Sequence, residues 1–366
     1  MTGRVLSIAA TLFVAGAIAY RARTAGPLVA VALGASWLAT QPVIVWGSAV
    51  KPDLVALALV VGAVAAADAR RAALAGALAA LASWTKPTEA LPALALLAWF
   101  VVSDRRAALR FVAASVAALA VAMAVTHVPD AAMYEHVVTW NALDWSAAQV
   151  LLLASLGLIV SAATLVACAF VKPRGAIAAY LIGALGIVVL GGREGATINY
   201  LLDLVTAAWL ALASAAPRIR ASALLPFAIV AQTVFAFAIV DPFGLLSGRA
   251  ITTGAWASPA RAAAVHALPG RLLVEDSGLL VAEGRMPDVD DLFLWSRLQD
   301  RRNDPRLLEA VRAGAFDAVV SETDLARLDA APLFERQRWH PSLVAAVLER
   351  YRLDRSDAGL FVYRPR

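Results

Sequence analysis

Lys51, Lys86 and Arg193 each stand beside a carboxylate and close to the start of an apolar run, in "VKPDL" (50–54), "TKPTE" (85–89) and "GGREGATINY" (191–200). Pro52 and Pro87 suit a first helical turn, and Asp53 and Glu89 suit the positive end of a helix dipole. The cations do not, because a positive side chain at a helix N-terminus is disfavoured by about 0.3–1 kcal/mol. A bound anion reverses that sign, since helix N-termini and cations both attract phosphate. For any one site the plainer account is a lysine that snorkels to headgroups or pairs with its own acid. Recurrence on three helices favours a shared anion site.

Other polar residues gather nearby. The stretch 127–147 carries His127, Asp130, Glu135, His136, Asn141 and Asp144, together with two tryptophans, Trp140 and Trp145, that fit an interfacial belt. His136 has the chemistry of a general base or a metal ligand, although a lone histidine is more often merely solvated. The histidine spacing is not a zinc signature, so no metal is assigned, and a divalent ion is left as an open alternative. Asn199 and Asp203 stand one helical turn apart and share a face. Asp203 lies within an apolar run, where an ionisable residue is a functional candidate by default and a salt bridge inside the bundle is the equal alternative. "PDVDD" (287–291) lacks the glycine and terminal glutamate of a calcium loop and reads as a solvated turn. The chain shows no glycine-rich phosphate loop, nucleophile elbow or CxxC pair, and no cofactor is called for.

The elements that must position these residues are apolar. The chain is 61% hydrophobic and 16% charged, beyond the range of ordinary soluble domains, and its apolar residues cluster in long runs. The expected fold class is mainly α, a polytopic transmembrane bundle of about ten spans with a small α/β domain at its C-terminus. Candidate spans are 5–20, 28–45, 53–67, 72–84, 88–102, 108–126, 148–171, 175–190, 199–215 and 221–240. Basic clusters at Arg21/Arg23, Arg70/Arg71, Arg105/Arg106/Arg110, Lys172/Arg174 and Arg218/Arg220 fall in every second loop. The positive-inside rule then places all five on the cytoplasmic side and 46–52, 85–88, 127–147, 191–198 and everything beyond Asp241 outside. The net charge of +5 is absorbed by those loops, which sets nucleic acid aside. The one cysteine, Cys168, excludes an intrachain disulfide and reads as packing.

Residues 1–240 are therefore expected to form the membrane domain and 241–366 an extracytoplasmic α/β domain. In the latter, "RLLVE" (271–275), "FDAVV" (316–320) and "GLFVY" (359–363) read as strands, and 290–300 and 341–351 as helices. In this register the first helix starts outside, preceded only by "MTGR". That fits either a signal peptide, cut near "AIAY" (17–20), or a further helix upstream.

The "KPD" and "TKP" helix starts, the "WN" loop at 140–141, the "NY" at 199–200 and the ending "YRPR" together resemble bacterial GT-C glycosyltransferases of the protein O-mannosyltransferase and aminoarabinose transferase group. The resemblance covers the whole chain with short motifs. It implies an enzyme of the bacterial inner membrane that moves a sugar from a polyprenyl-phosphate donor to a glycan, lipid or protein acceptor at the outer face. By the same resemblance Lys51 and Lys86 face the donor phosphate with Arg193 as a helper, and Asp53, Glu89, Asn199 and Tyr200 line the sugar and acceptor cavity. Glu194, His136 and Asn141 complete the set of candidate binding residues. The family's first helix and its acidic first loop have no counterpart here, so the base is left to Asp53, Glu89 or Glu135. Two other classes fit the composition: a transporter or flippase of a lipid-linked or anionic solute, and a non-catalytic protein that binds lipid phosphate. A transporter would place its polar residues near the midplane on broken helices.

Overall fold

The computed structural model describes residues 2–47, 51–127, 133, 143–219, 229–235, 238, 259–331 and 333–366. The chain divides into two compact units, Met1–Ile251 and Thr252–Arg366.

The described residues of the first unit are mainly helical. Its helices are α1 (Thr2–Ala22), α2 (Pro27–Leu38), α3 (Gln41–Trp46), α4 (Asp53–Asp68), α5 (Ala72–Thr85), α6 (Ala90–Ser103), α7 (Arg105–Thr126), α8 (Ala147–Val171), α9 (Gly175–Leu190) and α10 (Leu202–Ile219). Four stretches are long and apolar enough to cross a bilayer: Gly3–Ala25, Arg105–Thr126, Ala147–Val171 and Ile198–Arg218. The others among the described residues are shorter. The single span expected over 28–45 is two helices, because the chain turns extended at Thr40 (φ −74°, ψ 141°), which caps α3, and Pro42 sits in the first turn of that helix. Of the span expected over 221–240, only 229–235 and 238 are described.

Burial sorts the helices by role. The α10 window is 83% buried and forms the axis of the bundle, whereas the α7 window is 17% buried and presents Leu109, Val116 and Val121 outward. Trp37 of α2 donates its indole N–H to Thr206 of α10 at 3.0 Å, so the axis helix is also tied by hydrogen bonds. At Gly76, where α5 crosses α7, a Cβ would overlap the Phe111 backbone, and Ser115 donates to the Gly76 carbonyl at 2.9 Å. Small residues at such crossings let the backbones touch, which is how helices associate where lipid removes the hydrophobic drive. α8 is interrupted at Ser161 (φ −140°, ψ 19°). The Thr164 N–H is satisfied by the Gln232 side chain at 3.1 Å, as a low-dielectric interior requires.

The second unit is an α/β domain. A four-stranded sheet has the order β1 (Leu272–Val274), β2 (Ala318–Ser321), β4 (Leu360–Pro365), β3 (Tyr351–Asp357). β1 and β2 are parallel and the other two pairs antiparallel. Leu273, Val319 and Tyr363 face helices α13 (Leu292–Arg302), α14 (Arg306–Arg312) and α15 (Pro341–Arg350) on one side. Leu272, Val274, Val320 and Val362 face α11 (Pro259–His266) and α12 (Ser277–Ala282) on the other. The three expected strands and two expected helices are present with ends shifted by a few residues. β3 was not expected: it is an edge strand, exposed over all but Tyr351, and "RLDRSD" carries no alternation to read.

Candidate functional site

The short α4–α5 connection makes these two helices an antiparallel pair, which brings the start of α4 beside the end of α5. Pro87 disfavours helical geometry at the residue before it, so Lys86 is extended (φ −147°, ψ 112°) and the helix stops there. Its amine lies 2.9 Å from Asp53 Oδ1 at the head of α4. A single tight turn, Pro87–Glu89, then carries Glu89 into the interior, where it is 0% exposed and 3.7 Å from the same amine. Lys86 therefore lies between two carboxylates.

A third segment closes the site. The tight turn Ile198–Leu201 precedes α10, and its Asn199 donates to Asp53 Oδ1 at 2.9 Å. The Lys86 ammonium lies 5.7 Å from the centre of the Tyr200 ring, a cation–π distance. Arg193 Nη2 donates to the Tyr200 hydroxyl at 2.9 Å, so two cations address one tyrosine, one at its face and one at its oxygen. One turn further, Asp203 is buried and accepts from the Tyr180 hydroxyl of α9 at 2.8 Å. Its carboxyl also neighbours Glu89. Among the described residues neither Glu89 oxygen accepts a hydrogen bond, so the contact between the two acids becomes a bond only when one of them holds a proton.

The loop that carries Arg193 is held from outside the cluster. Trp145 pairs with Arg193 as an isolated antiparallel bridge and donates its indole N–H to the Val189 carbonyl at 2.8 Å. Ser146 N–H reaches Gly192 O and Glu194 N–H reaches Asp144 O, each at 2.8 Å. Gly192 is required here, because a Cβ would collide with the Trp145 indole.

Of the sequence candidates, the structure brings together Asp53, Lys86, Glu89, Asn199, Tyr200 and Arg193. Glu194 is half-buried beside them and is tied through its backbone to Asp144. Lys51 is apart: it is exposed and leans over the Trp46 ring at 5.7 Å. Hence the three cations do not form a cluster of their own. Glu135, His136 and Asn141 lie outside the described residues. Tyr180 is the partner that sequence reasoning missed; its signal is a lone hydroxyl within an otherwise apolar helix.

Three buried carboxyls, Asp53, Glu89 and Asp203, face one buried amine, with Arg193 at the edge. Charges removed from water need compensation, and this set is acid-rich. It suits a general base, recognition of hydroxyl groups, or uptake of a proton. Among the described residues no group of three or more His, Cys, Asp or Glu side chains is placed to hold a metal ion. Comparison of the chain with protein-family models, with curated proteins and with solved structures finds no match in any of the three.

Proposed function

We propose that the chain is an integral-membrane glycosyltransferase of the GT-C kind, taking a sugar from a polyprenyl-phosphate donor at the outer face of a bacterial inner membrane. In this reading the bundle has about ten spans and the C-terminal domain is extracytoplasmic. The observation that supports it is the convergence of "KPD", "TKPTE" and "NY", three segments far apart in sequence, on the single buried cluster of Asp53, Lys86, Glu89, Asn199 and Tyr200.

The roles follow from geometry. Asp53 holds Lys86 and Asn199 with one oxygen, and among the described residues its second oxygen accepts no hydrogen bond. That oxygen is the candidate base, taking the acceptor hydroxyl proton as the acceptor oxygen attacks the anomeric carbon. The bond from that carbon to phosphate oxygen breaks, and polyprenyl phosphate leaves with the electron pair. Arg193 and Lys86 are the cations near enough to stabilise its growing negative charge. Lys51, on the surface at Trp46, is a candidate for guiding the donor phosphate in from the headgroup layer.

The test is purified full-length protein with radiolabelled polyprenyl-phosphate sugars. Label appearing in acceptor or in free sugar, and lost in Asp53→Asn, supports the proposal. Absence of both binding and turnover across a panel of donors refutes it. A second reading, a carrier for a lipid-linked or anionic solute, draws on Glu89 and Asp203 buried inside the bundle. It predicts donor movement across reconstituted vesicles with the sugar–phosphate bond intact.

A further inference from the structure

At the other end of the bundle from this cluster lies a cleft of about 460 Å³, bounded by the last turn of α1, the α8–α9 turn and the last turn of α10. Asp53 opens α4 and Asp68 closes it, with Asp68 paired to Arg21 at the cleft. At 1.5 Å per residue, α4 alone sets the two ends about 22 Å apart. Four cations line the cleft, Arg21, Lys172, Arg174 and Arg218, beside an apolar wall that includes Phe170 and Ile177.

Among the described residues Arg21 alone of the four is paired with a carboxylate, Asp68, and it also donates to the Ser214 hydroxyl at 2.6 Å. Among the described residues no carboxylate pairs with Lys172, Arg174 or Arg218. The helix dipole explains part of this, since Arg21 and Arg218 occupy last turns and Lys172 caps the end of α8. It does not explain Arg174, which stands at the start of α9, where the dipole repels a cation. Nor does it explain why cations from three separate segments converge on one concavity and repel each other there. An anion in the cleft would offset both effects. The turn is also stiff: Lys172 is left-handed (φ 51°) and is followed by Pro173, so the two cations flanking that proline are presented with little freedom.

We propose that this cleft binds a phosphate-bearing anion, the phosphate among Lys172, Arg174 and Arg218 and any attached hydrocarbon along Phe170. The source is either an anionic phospholipid headgroup or a soluble phosphate compound. The proposal stands apart from the glycosyltransferase reading, which concerns the opposite end of α4.

The chain has three lysines, Lys51, Lys86 and Lys172, of which Lys86 is buried, so amine acylation followed by mass spectrometry reads the site directly. The full chain is reconstituted in nanodiscs of phosphatidylcholine alone, of phosphatidylcholine with phosphatidylglycerol, or of phosphatidylcholine with inorganic phosphate in solution. One bound phosphate should slow labelling of Lys172 by about five-fold and leave Lys51 nearly unchanged. Protection by phosphatidylglycerol alone assigns a lipid, and protection by inorganic phosphate assigns a soluble compound. Removing two charges, Arg174→Gln/Arg218→Gln, should cut the affinity behind that protection by about thirty-fold. Arg105→Gln/Arg106→Gln, outside the cleft, should not. Equal labelling of Lys172 under all three conditions overturns the proposal, as does parallel protection of Lys51 and Lys172, which marks general surface attraction. Should the double variant fail to insert, the footprint of the unaltered chain still decides.

Discussion

Lys86 Nζ and Asp53 Oδ1 lie 2.9 Å apart where the end of one helix meets the head of its antiparallel neighbour, with both side chains nearly closed off from solvent. Around that contact the bundle gathers two further buried acids, Glu89 and Asp203, and most of what can be tested about the site follows from it.

Breaking this pair from one side leaves a buried charge without its partner. Asp53→Asn or Lys86→Met should each destabilise the protein by about 3–5 kcal/mol. The double variant should lose clearly less than the sum, because the stranded charge is then gone. Thermal unfolding of the four proteins in one detergent measures the coupling, and strict additivity would mean that the two groups are independently solvated.

Glu89 behaves differently, since among the described residues its carboxylate accepts no hydrogen bond, and Lys86 keeps Asp53 without it. Glu89→Gln should leave the melting temperature unchanged or raise it, because an acid beside Asp203 is replaced by an amide that can donate. Sugar transfer or donor binding should fall in the same protein. A large loss of stability would show that Glu89 is a structural counter-ion and no more.

Gly192 tests the loop that carries Arg193. Gly192→Ala forces a methyl group against the Trp145 indole and should cost about 1–3 kcal/mol. Hydrogen exchange at Ser146 and Glu194, whose N–H groups pair across the two segments, should speed up selectively. Unaltered exchange there would show that the indole yields without disturbing the pairing.

The C-terminal domain should weaken in alkali. Burial, and then the hydrogen bond to Asp324, push the Tyr363 hydroxyl above its ordinary value of 10.0. The folded form thus keeps its proton more tightly than the unfolded chain, and stability complete below about pH 10 is lost as the pH climbs beyond it. Tyr351 is raised as well, chiefly by burial, and adds to the effect. Hydrogen exchange at strand β2, followed from pH 8 to 11 in the full chain, should show protection falling off above about pH 10. Tyr363→Phe should flatten that decline, and an unchanged slope would assign it to other groups.

Much of the fold was legible because the signals are local. Apolar runs mark helices whatever they pack against, and Pro87 ends α5 through a steric clash with its immediate neighbour. The break at Thr40 was not legible, since Pro42 suits a helix's first turn and only the chain's path shows that a new helix starts there. Strand β3 was hidden because its exposed, charged side chains carry no periodic imprint. Within the site, the acids and amines were visible as polar residues in apolar surroundings, but their pairing was not. Lys86 next to Glu89 in sequence suggested a local pair, whereas its shorter contact is to Asp53.

By itself, then, the sequence determined that this is a chain of apolar helices with polar residues clustered at helix starts, because hydropathy and proline sterics act over a few residues. Tertiary structure alone decided that Lys86 sits between two acids, that Tyr180 reaches Asp203, and that Lys51 stays outside. Those are contacts between segments distant along the chain, set by which helices pack side by side and by where each one stops.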